Sequence, residues 1–348
     1  MADAAGLVRK LDRCHSLTEE EYLLLLEGRS PELTGLLADL AVKRTKEHYG
    51  NRIFIRGLTE ISNICRCGCR YCGISRENPV CDRYRLTGEQ ILSCAREGYL
   101  LGFRTFVLQG GEDGWFTDRR LTEILRSIKR EFPDAAVTLS LGERSRESYQ
   151  RLFDAGADRY LLRHETADPD HYRLLHPEDQ SFENRMRCLR DLHEIGYQTG
   201  CGFMVGSPGQ TLRNIAKDLK FIEEFSPEMC GIGPFIPHKD TAFRDYPPGS
   251  ADLTCYLLSI IRIMKPNVLL PATTALGSID PFGREKGILS GANVVMPNLS
   301  PEEVRSKYML YNNKLASGPE AAQNLMELKK RMESIGYQVV VDRGDFRN

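Results

Sequence analysis

Four cysteines lie within eight residues of one another, at Cys65, Cys67, Cys69 and Cys72. Thiolates at such spacing can converge on one soft metal centre while the backbone between them wraps around it. A structural zinc site usually takes two separated cysteine pairs, and the chain has no second pair elsewhere. A redox pair at Cys69 and Cys72 leaves Cys65 and Cys67 without a role. The spacing therefore favours an iron–sulfur cluster held by Cys65, Cys69 and Cys72.

Three thiolates on a four-iron cluster leave one iron open to a substrate or cofactor. With an aromatic residue, Tyr71, just before the last cysteine, the loop resembles the signature of radical S-adenosylmethionine (SAM) enzymes. The resemblance implies one 4Fe–4S cluster whose open iron chelates the methionine part of SAM. It also implies that an electron from the cluster cleaves SAM to methionine and a 5′-deoxyadenosyl radical. Cys67 is extra to the pattern, and its role stays open.

The rest of the chain alternates between strand-like and helix-like segments that could position this loop. Apolar strand-like runs occur at 53–61, 105–109, 136–141, 159–163, 199–205, 229–236, 268–271 and 292–296. Helical patterns lie between most of them, as at 118–131, 146–155, 212–225 and 253–264. Repeated β–α units imply a parallel sheet, and eight of them suggest closure. We expect an α/β protein with a complete (β/α)8 TIM barrel, with an open doubly wound sheet as the alternative.

Leucines recur at helical spacing before the first strand, and no Ser/Gly/Pro-rich linker divides the chain. This pattern predicts an N-terminal helical extension at 1–50 and a single catalytic barrel domain at 51–348. In a barrel the chemistry sits at the carboxyl ends of the strands, and most of the unusual residues fall there.

Two strand ends resemble SAM-binding motifs of the same family. Gly110, Gly111 and Glu112 follow the second strand, where the family has a glycine-rich turn that contacts the methionine amino group. Met204 lies in the fifth strand, in a Gly-Phe-Met-Val-Gly string that resembles the family's adenine-contacting segment. By itself a glycine pair marks an ordinary turn, so its position after a strand is what supports the assignment.

Arg159, Arg163 and Glu165 are separated by even steps, so in an extended strand they point to one face. An internal Arg–Glu ion pair is one interpretation. The other is a SAM site, in which arginine binds a carboxylate and glutamate binds an amine or ribose hydroxyls. Arg185 would be a second guanidinium for that carboxylate.

The composition is that of an ordinary globular chain. It has 348 residues, 41% hydrophobic, with 47 Lys and Arg against 48 Asp and Glu. This balance argues against nucleic acid as a partner, and there is no apolar run of about 18 residues for a membrane span. No secretory signal is visible, so we expect a cytoplasmic enzyme whose 11 cysteines stay reduced.

Long strings extend the resemblance to the HydE family, which matures FeFe-hydrogenase: 107–113, 138–143, 156–166, 231–238, 271–275 and 291–298. The resemblance implies a small organometallic or amino-acid-derived substrate, an iron centre carrying carbon monoxide, cyanide and cysteine. It implies the maturases HydG and HydF as partners, and ferredoxin or flavodoxin as electron donor. Residues that match the family's substrate positions are Met229, Thr273, Thr274, Met296, Tyr308 and Tyr311. The Thr273 and Thr274 hydroxyls could hold an anionic ligand such as cyanide.

Some HydE proteins carry further cysteines near the C-terminus for an accessory cluster. Here the last cysteine is Cys255, so we predict a single cluster. The alternatives are a methylornithine synthase-like or biotin synthase-like radical SAM enzyme, and a non-catalytic iron–sulfur scaffold. The third strand, at 136–141, has no cysteine for the second cluster that biotin synthase needs.

Overall fold

Helices and short strands alternate along most of the chain in the computed structural model, which describes residues 4–315 and 321–347. The helices are α1 (Ala4–Cys14), α2 (Glu19–Glu27), α3 (Pro31–Tyr49), α4 (Gly88–Leu100), α5 (Asp118–Glu131), α6 (Arg146–Asp154), α7 (Pro169–Leu175), α8 (Phe182–Ile195), α9 (Leu212–Phe225), α10 (Ala251–Met264), α11 (Thr274–Ile279), α12 (Gly283–Ile288), α13 (Glu302–Arg305) and α14 (Leu325–Ser334). The strands are β1 (Arg52–Ile55), β2 (Gly57–Ser62), β3 (Thr105–Gly110), β4 (Ala136–Ser140), β5 (Arg159–Leu161), β6 (Gln198–Cys201), β7 (Met204–Val205), β8 (Met229–Cys230), β9 (Gly233–Pro234), β10 (Val294–Val295) and β11 (Gln338–Val340).

All strand pairs between these elements are parallel. Six strands form one sheet in the order β2-β3-β4-β5-β6-β8, and β10-β1-β11 form a second. The strands β7 and β9 form a short pair of their own. The α/β class and the parallel sheet are confirmed, because parallel neighbours need the helical crossovers that the sequence pattern indicated.

Four of the predicted strands are less regular than expected. The one predicted at 53–61 divides at Arg56 into β1 and β2, which lie in different sheets. The predicted strand at 268–271 forms only single-residue bridges, Met229 with Leu269 and Pro271 with Val294. Pro271 has no N–H to donate, which interrupts a ladder. The strands predicted at 199–205 and 229–236 each divide in two where they approach closely: a Cβ on Gly202 would lie 2.0 Å from the Gly231 carbonyl oxygen.

Helix ends follow ordinary capping chemistry. The side chains of Thr18, Ser30, Thr87 and Thr211 each accept a hydrogen bond from a backbone N–H in the first turn of their helix. Such caps satisfy donors that the helix itself leaves free. Among the described residues, no helix combines the length and apolar character needed to cross a membrane.

The helices before β1 pack on the outside of the strand layer, against α9 and α10. The Tyr22 hydroxyl donates to the Glu223 carboxylate at 2.7 Å, and the Tyr256 hydroxyl donates to the Leu25 carbonyl at 2.7 Å. Buried leucines of α1–α3 join the main hydrophobic core. These helices therefore support α9 and α10, which flank the later strands.

The segment after β11 closes the amino-terminal end of the strands. Gly344 packs against Phe54, and the Asp345 carboxylate accepts a hydrogen bond from Arg159 at 2.6 Å. Since Arg159 and Thr105 begin β5 and β3, this contact marks the floor of the strand layer. The opposite end is left to the loops that carry the predicted site.

Candidate active site

A cavity of about 340 Å³ opens at the carboxyl ends of the strands. Its wall includes Glu60 from β2, Gln109 and Gly110 from β3, Ser140 from β4 and Leu161 from β5. This is the end at which parallel α/β folds hold their chemistry.

Most of the predicted site residues line this one cavity. They are Cys65, Cys69, Tyr71, Cys72, Gly110, Gly111, Glu112, Arg163, Glu165, Arg185, Met204, Thr273, Thr274, Met296, Tyr308 and Tyr311. Cys67 lines it as well, whereas Arg159 and Met229 do not. Residues that are far apart in the sequence therefore meet in one place, which is what a shared site requires.

The cysteine loop is irregular backbone held down on several sides. The Arg66 N–H donates to the Glu112 carbonyl at 3.1 Å, and the Arg70 N–H donates to the Leu175 carbonyl at 3.0 Å. A hydrogen bond with the Cys67 thiol lowers the pKa of Cys65 to about 7, although burial opposes the shift. Burial raises the pKa of Cys69 to about 11. The loop is thus fixed by backbone contacts that leave the thiols facing the cavity.

The Gly–Gly–Glu turn touches the cysteine loop directly. The Glu112 N–H points to the Cys65 sulfur at 3.3 Å, and the Glu112 carboxylate accepts a hydrogen bond from the Glu143 N–H at 2.7 Å. A Cβ on Gly111 would lie 2.3 Å from the Ile64 carbonyl oxygen and 2.7 Å from the Cys65 Cβ. Only glycine allows this approach, so the turn after β3 sets the position of Cys65.

Arg185 enters the cavity from α8 and is held in place by two acceptors. Its Nε donates to the Glu143 carboxylate and its Nη1 to the Arg163 carbonyl, each at 2.6 Å. Burial alone would lower the pKa of Arg185, but Tyr172 and Glu143 keep it above its ordinary value. The guanidinium therefore stays charged and fixed beside the cavity.

Arg163 and Glu165 present buried polar atoms that lack hydrogen-bond partners. The Arg163 Nη2 and the Glu165 Oε2 lie 3.4 Å apart, yet neither makes a hydrogen bond in the structure, and the Arg163 Nε has no partner either. Glu165 has a φ of 65°, an uncommon conformation for a residue with a side chain. The internal Arg–Glu ion pair considered from the sequence is therefore present, and its atoms without hydrogen bonds can also bind a ligand that carries both a carboxylate and donor groups.

Arg159 does not belong to this site. Its side chain is fully buried at the floor, where it donates to Asp345, to the Arg343 carbonyl and to Thr105. Even spacing along a strand does not report depth, and four residues of extended chain span about 13 Å. The expected role in binding SAM is therefore wrong for this residue.

Met229, expected at the substrate site, also lies outside the cavity lining. It begins β8, and its sulfur accepts a hydrogen bond from the Arg56 guanidinium at 2.9 Å. It packs in a small cluster with Phe54, Leu269 and Val294. A position at the start of a strand puts Met229 below the cavity, in the packed part of the interior.

The remaining predicted substrate residues form another part of the cavity wall. The Thr273 hydroxyl oxygen is buried without a hydrogen-bond partner. The Tyr308 hydroxyl accepts a hydrogen bond from the Gln109 amide at 3.4 Å, and burial raises the pKa of Tyr311 to about 12. This wall therefore offers neutral hydroxyls to a ligand.

An ion pair and a histidine also lie at this site, although neither was predicted from the sequence. Glu60 and Lys314 line the cavity, and the Lys314 Nζ lies 2.6 Å from the Glu60 Oε1. Glu60 shares a strand face with Leu58, so the alternation of side chains along the strand could have identified it as a cavity residue. Nothing in the sequence indicates Lys314. Burial lowers the pKa of His176 to about 3, so this ring is neutral beside the Tyr71 hydroxyl, 3.2 Å away.

The donor set fits an iron–sulfur cluster better than a single ion. Among the described residues, no three His, Cys, Asp or Glu side chains are close enough to hold one metal ion. A four-iron cluster is larger and takes cysteine thiolates spread around it. Cys65, Cys69 and Cys72 face one cavity, and the Glu112 N–H points at the Cys65 sulfur, as hydrogen bonds to cluster thiolates do.

Comparison with known proteins agrees with this arrangement. Residues 59–222 match the family model of the Radical SAM superfamily. The chain is 42% identical over 338 residues to the FeFe hydrogenase maturase subunit HydE of Thermotoga maritima, covering 97% of this chain and 96% of that one.

Solved structures share the fold. The crystal structure of methylornithine synthase (PylB) superposes with a TM-score of 0.84 at 25% identity, covering 96% of this chain and 97% of that one. The maturase HydG from Carboxydothermus hydrogenoformans superposes with a TM-score of 0.80 at 22% identity, covering 96% and 78%. The match over nearly its whole length to HydE is the most specific of these, and the chain belongs to the HydE family of the radical SAM superfamily.

Proposed function

We propose that this chain is a HydE-like maturase of FeFe-hydrogenase, which cleaves SAM at one 4Fe–4S cluster and acts on a small substrate in the cavity. The observation that carries the proposal is the convergence of the three cysteines, the Gly–Gly–Glu turn and the unpartnered Arg163 and Glu165 atoms on one cavity. The identity to HydE supports the same function.

In this proposal Cys65, Cys69 and Cys72 hold the cluster, and Tyr71 packs beside it. When bound, the cluster supplies the electron that cleaves SAM to methionine and a 5′-deoxyadenosyl radical. The backbone of Gly110–Glu112 orients the amino group of SAM. Arg185 and Arg163 bind its carboxylate, Glu165 binds its ribose hydroxyls, and the backbone around Met204 lies along its adenine.

The substrate would occupy the part of the cavity wall formed by Thr273, Thr274, Met296, Tyr308 and Tyr311. We infer an iron centre carrying carbon monoxide, cyanide and cysteine, made by HydG and passed on to HydF, with ferredoxin or flavodoxin as the electron donor. The unpartnered Thr273 hydroxyl supports an anionic group at this wall.

We also infer that the barrel is complete, with residues 51–348 as one catalytic domain and residues 1–50 as a helical extension. The bridges of Leu269 to Met229, of Pro271 to Val294 and of Leu58 to Asn298 support closure of the ring between β8 and β2. Residues 1–3, 316–320 and 348 of these ranges lie outside the described residues.

The free state of all 11 cysteines supports a reducing compartment such as the cytoplasm.

Anaerobic reconstitution tests the proposal. The protein with iron, sulfide, dithionite and SAM should form 5′-deoxyadenosine and hold about four iron per chain, as for one cluster of this type. Cys69→Ala should abolish the product, whereas Cys67→Ala should retain it. Protein that loads iron but forms no 5′-deoxyadenosine would instead be a non-catalytic scaffold, and about eight iron would contradict the single cluster.

A methylornithine synthase-like mutase is the second candidate, favoured by the TM-score of 0.84 to that enzyme. A cell-free hydrogenase maturation mix lacking only HydE separates the two. Restored hydrogen evolution on addition of this protein supports the maturase, and no restoration by protein that cleaves SAM would favour another substrate.

A further inference from the structure

The cavity contains a buried ion pair that none of the roles proposed above uses. The side chains of Glu60 and Lys314 are 0% and 5% exposed, and the Lys314 ammonium lies 2.6 Å from a Glu60 carboxylate oxygen. Both residues line the cavity. They come from distant parts of the chain, Glu60 from β2 and Lys314 from the segment that follows α13.

Burial of such a pair is not explained by stability alone. Removing two charges from water costs free energy that their attraction often fails to recover, and apolar residues of similar size commonly serve as well. An ammonium can donate three hydrogen bonds. Among the described residues, Lys314 makes one to a protein acceptor, at Glu60. The ammonium therefore has two donor positions for a ligand in addition to the one that Glu60 occupies.

The surroundings fix the two charges in place. The Asn298 amide donates to the second Glu60 carboxylate oxygen at 3.1 Å, and the Lys314 ammonium lies 5.3 Å from the centre of the Tyr308 ring. The backbone N–H of Glu60 donates to the Ser300 hydroxyl at 2.8 Å. The site is thus held by side chains from several segments before any ligand enters.

Two adjacent opposite charges select the ligand class. A simple anion would pair with Lys314 and compete with Glu60, and a simple cation would do the reverse. A ligand that carries both charges on neighbouring atoms satisfies both. We propose that Glu60 and Lys314 form a subsite for an α-amino-acid zwitterion, with the ligand ammonium on Glu60 and its carboxylate on Lys314.

This inference rests on the proposed function and specifies its substrate class. Glu60 pairs in register with Gln109, the residue just before the Gly–Gly–Glu turn. The subsite therefore lies about one residue deeper than the proposed SAM-binding turn, and its occupant's side chain can extend from there into the cavity. A cysteine carried by the substrate would be anchored by its amino-acid end.

Calorimetric binding to the reconstituted enzyme with SAM, left unreduced so that no turnover occurs, tests the subsite. The probes are S-methyl-L-cysteine, 2-(methylthio)ethylamine, which lacks the carboxylate, and 3-(methylthio)propanoic acid, which lacks the ammonium. With the unaltered protein, each truncated probe should bind about tenfold to a hundredfold more weakly, as expected for a lost hydrogen bond to a charged group. Equal affinity for all three probes would overturn the subsite without any variant.

Variants then assign the two charges. The double substitution Glu60→Met with Lys314→Met keeps the volume, and such replacements of buried pairs are often tolerated. The double variant should bind S-methyl-L-cysteine about tenfold or more weakly than the unaltered protein. It should also lose the preference for this probe over the two truncated probes. Lys10→Met is the matched control, because the Lys10 ammonium also lies 2.6 Å from a glutamate, Glu21, but away from the cavity. It should bind all probes like the unaltered protein.

The outcomes separate this inference from the proposed function. Unchanged affinity in the folded double variant overturns the subsite, even if 5′-deoxyadenosine is still formed. Absence of 5′-deoxyadenosine from the unaltered protein overturns the radical SAM proposal, while the binding preferences report on the subsite independently.

Discussion

At the residue scale, the cavity wall separates groups already engaged by the protein from groups left for a ligand. Arg185 has two protein acceptors at 2.6 Å, whereas Arg163 and Glu165 face each other at 3.4 Å and contain buried atoms that make no hydrogen bond. Arg185 therefore acts as a fixed charge that also positions the Arg163 backbone. A ligand carboxylate near this pair would meet one rigid guanidinium and one that can still form its hydrogen bonds.

Replacing Arg185 with lysine should weaken SAM binding about tenfold, because an ammonium cannot hold both Glu143 and the Arg163 carbonyl in the fork geometry of arginine. The dissociation constant of SAM, measured on unreduced reconstituted protein, checks this. Arg187→Lys is the control: it lies on the same helix, its side chain is 40% exposed, and it does not line the cavity. Equal SAM affinity in the two variants would contradict the role of Arg185.

At the element scale, the turn after β3 and the cysteine loop after β2 act as one unit. The parallel pairing of β2 with β3 brings their carboxyl ends together, and the Glu112 N–H then reaches the Cys65 sulfur. The sequence could predict that both loops lie at the same end, since parallel strands share their direction. It could not predict that the loops touch. This contact depends on how closely the backbone of Gly111, which has no side chain, approaches Ile64 and Cys65.

Gly111→Ala should reduce cluster loading, since the added methyl would lie 2.3 Å from the Ile64 carbonyl and force the cysteine loop to move. Iron content and cluster absorbance after anaerobic reconstitution measure the effect. Gly114→Ala, in the same connection, meets no atom within 4 Å and should load iron normally. Full loading in Gly111→Ala would show that the loop tolerates the displacement.

At the scale of the whole molecule, the parallel sheet could be predicted from the sequence, whereas the depth of each residue along its strand could not. The alternation of β and α segments was enough to predict a parallel sheet with its site at the carboxyl ends. It could not tell that Arg159 lies at the floor, because alternation reports the face and not the depth. Lys314 was invisible for another reason: it lies 254 residues from Glu60, and only the finished fold brings them together.

The floor gives a prediction on acid stability. Burial would raise the pKa of Asp345, but the Arg159 and Arg343 guanidinium groups hold it below its ordinary value. A carboxyl group with a lowered pKa stabilises the fold at pH values above its unfolded-state pKa of about 4. This stability is lost as the pH falls below that pKa.

The unaltered protein should therefore exceed Asp345→Asn in thermal unfolding temperature at pH 7, and the difference should shrink between about pH 4 and pH 3. Unfolding followed by circular dichroism in parallel buffers measures it. A difference that persists unchanged at pH 3 would mean that the carboxylate charge is not what Arg159 recognises.

The strand β1 lies between β10 and β11, so that Phe54 is paired with Val294 on one side and Val340 on the other. Contacts of such sequence separation form slowly, because long chain segments must be brought together first. During synthesis on the ribosome, Cys65–Cys72 is complete while both neighbours of β1 are still to be made. The strands that enclose β1 can therefore join it only after the cysteine loop and the whole six-stranded sheet have been synthesised.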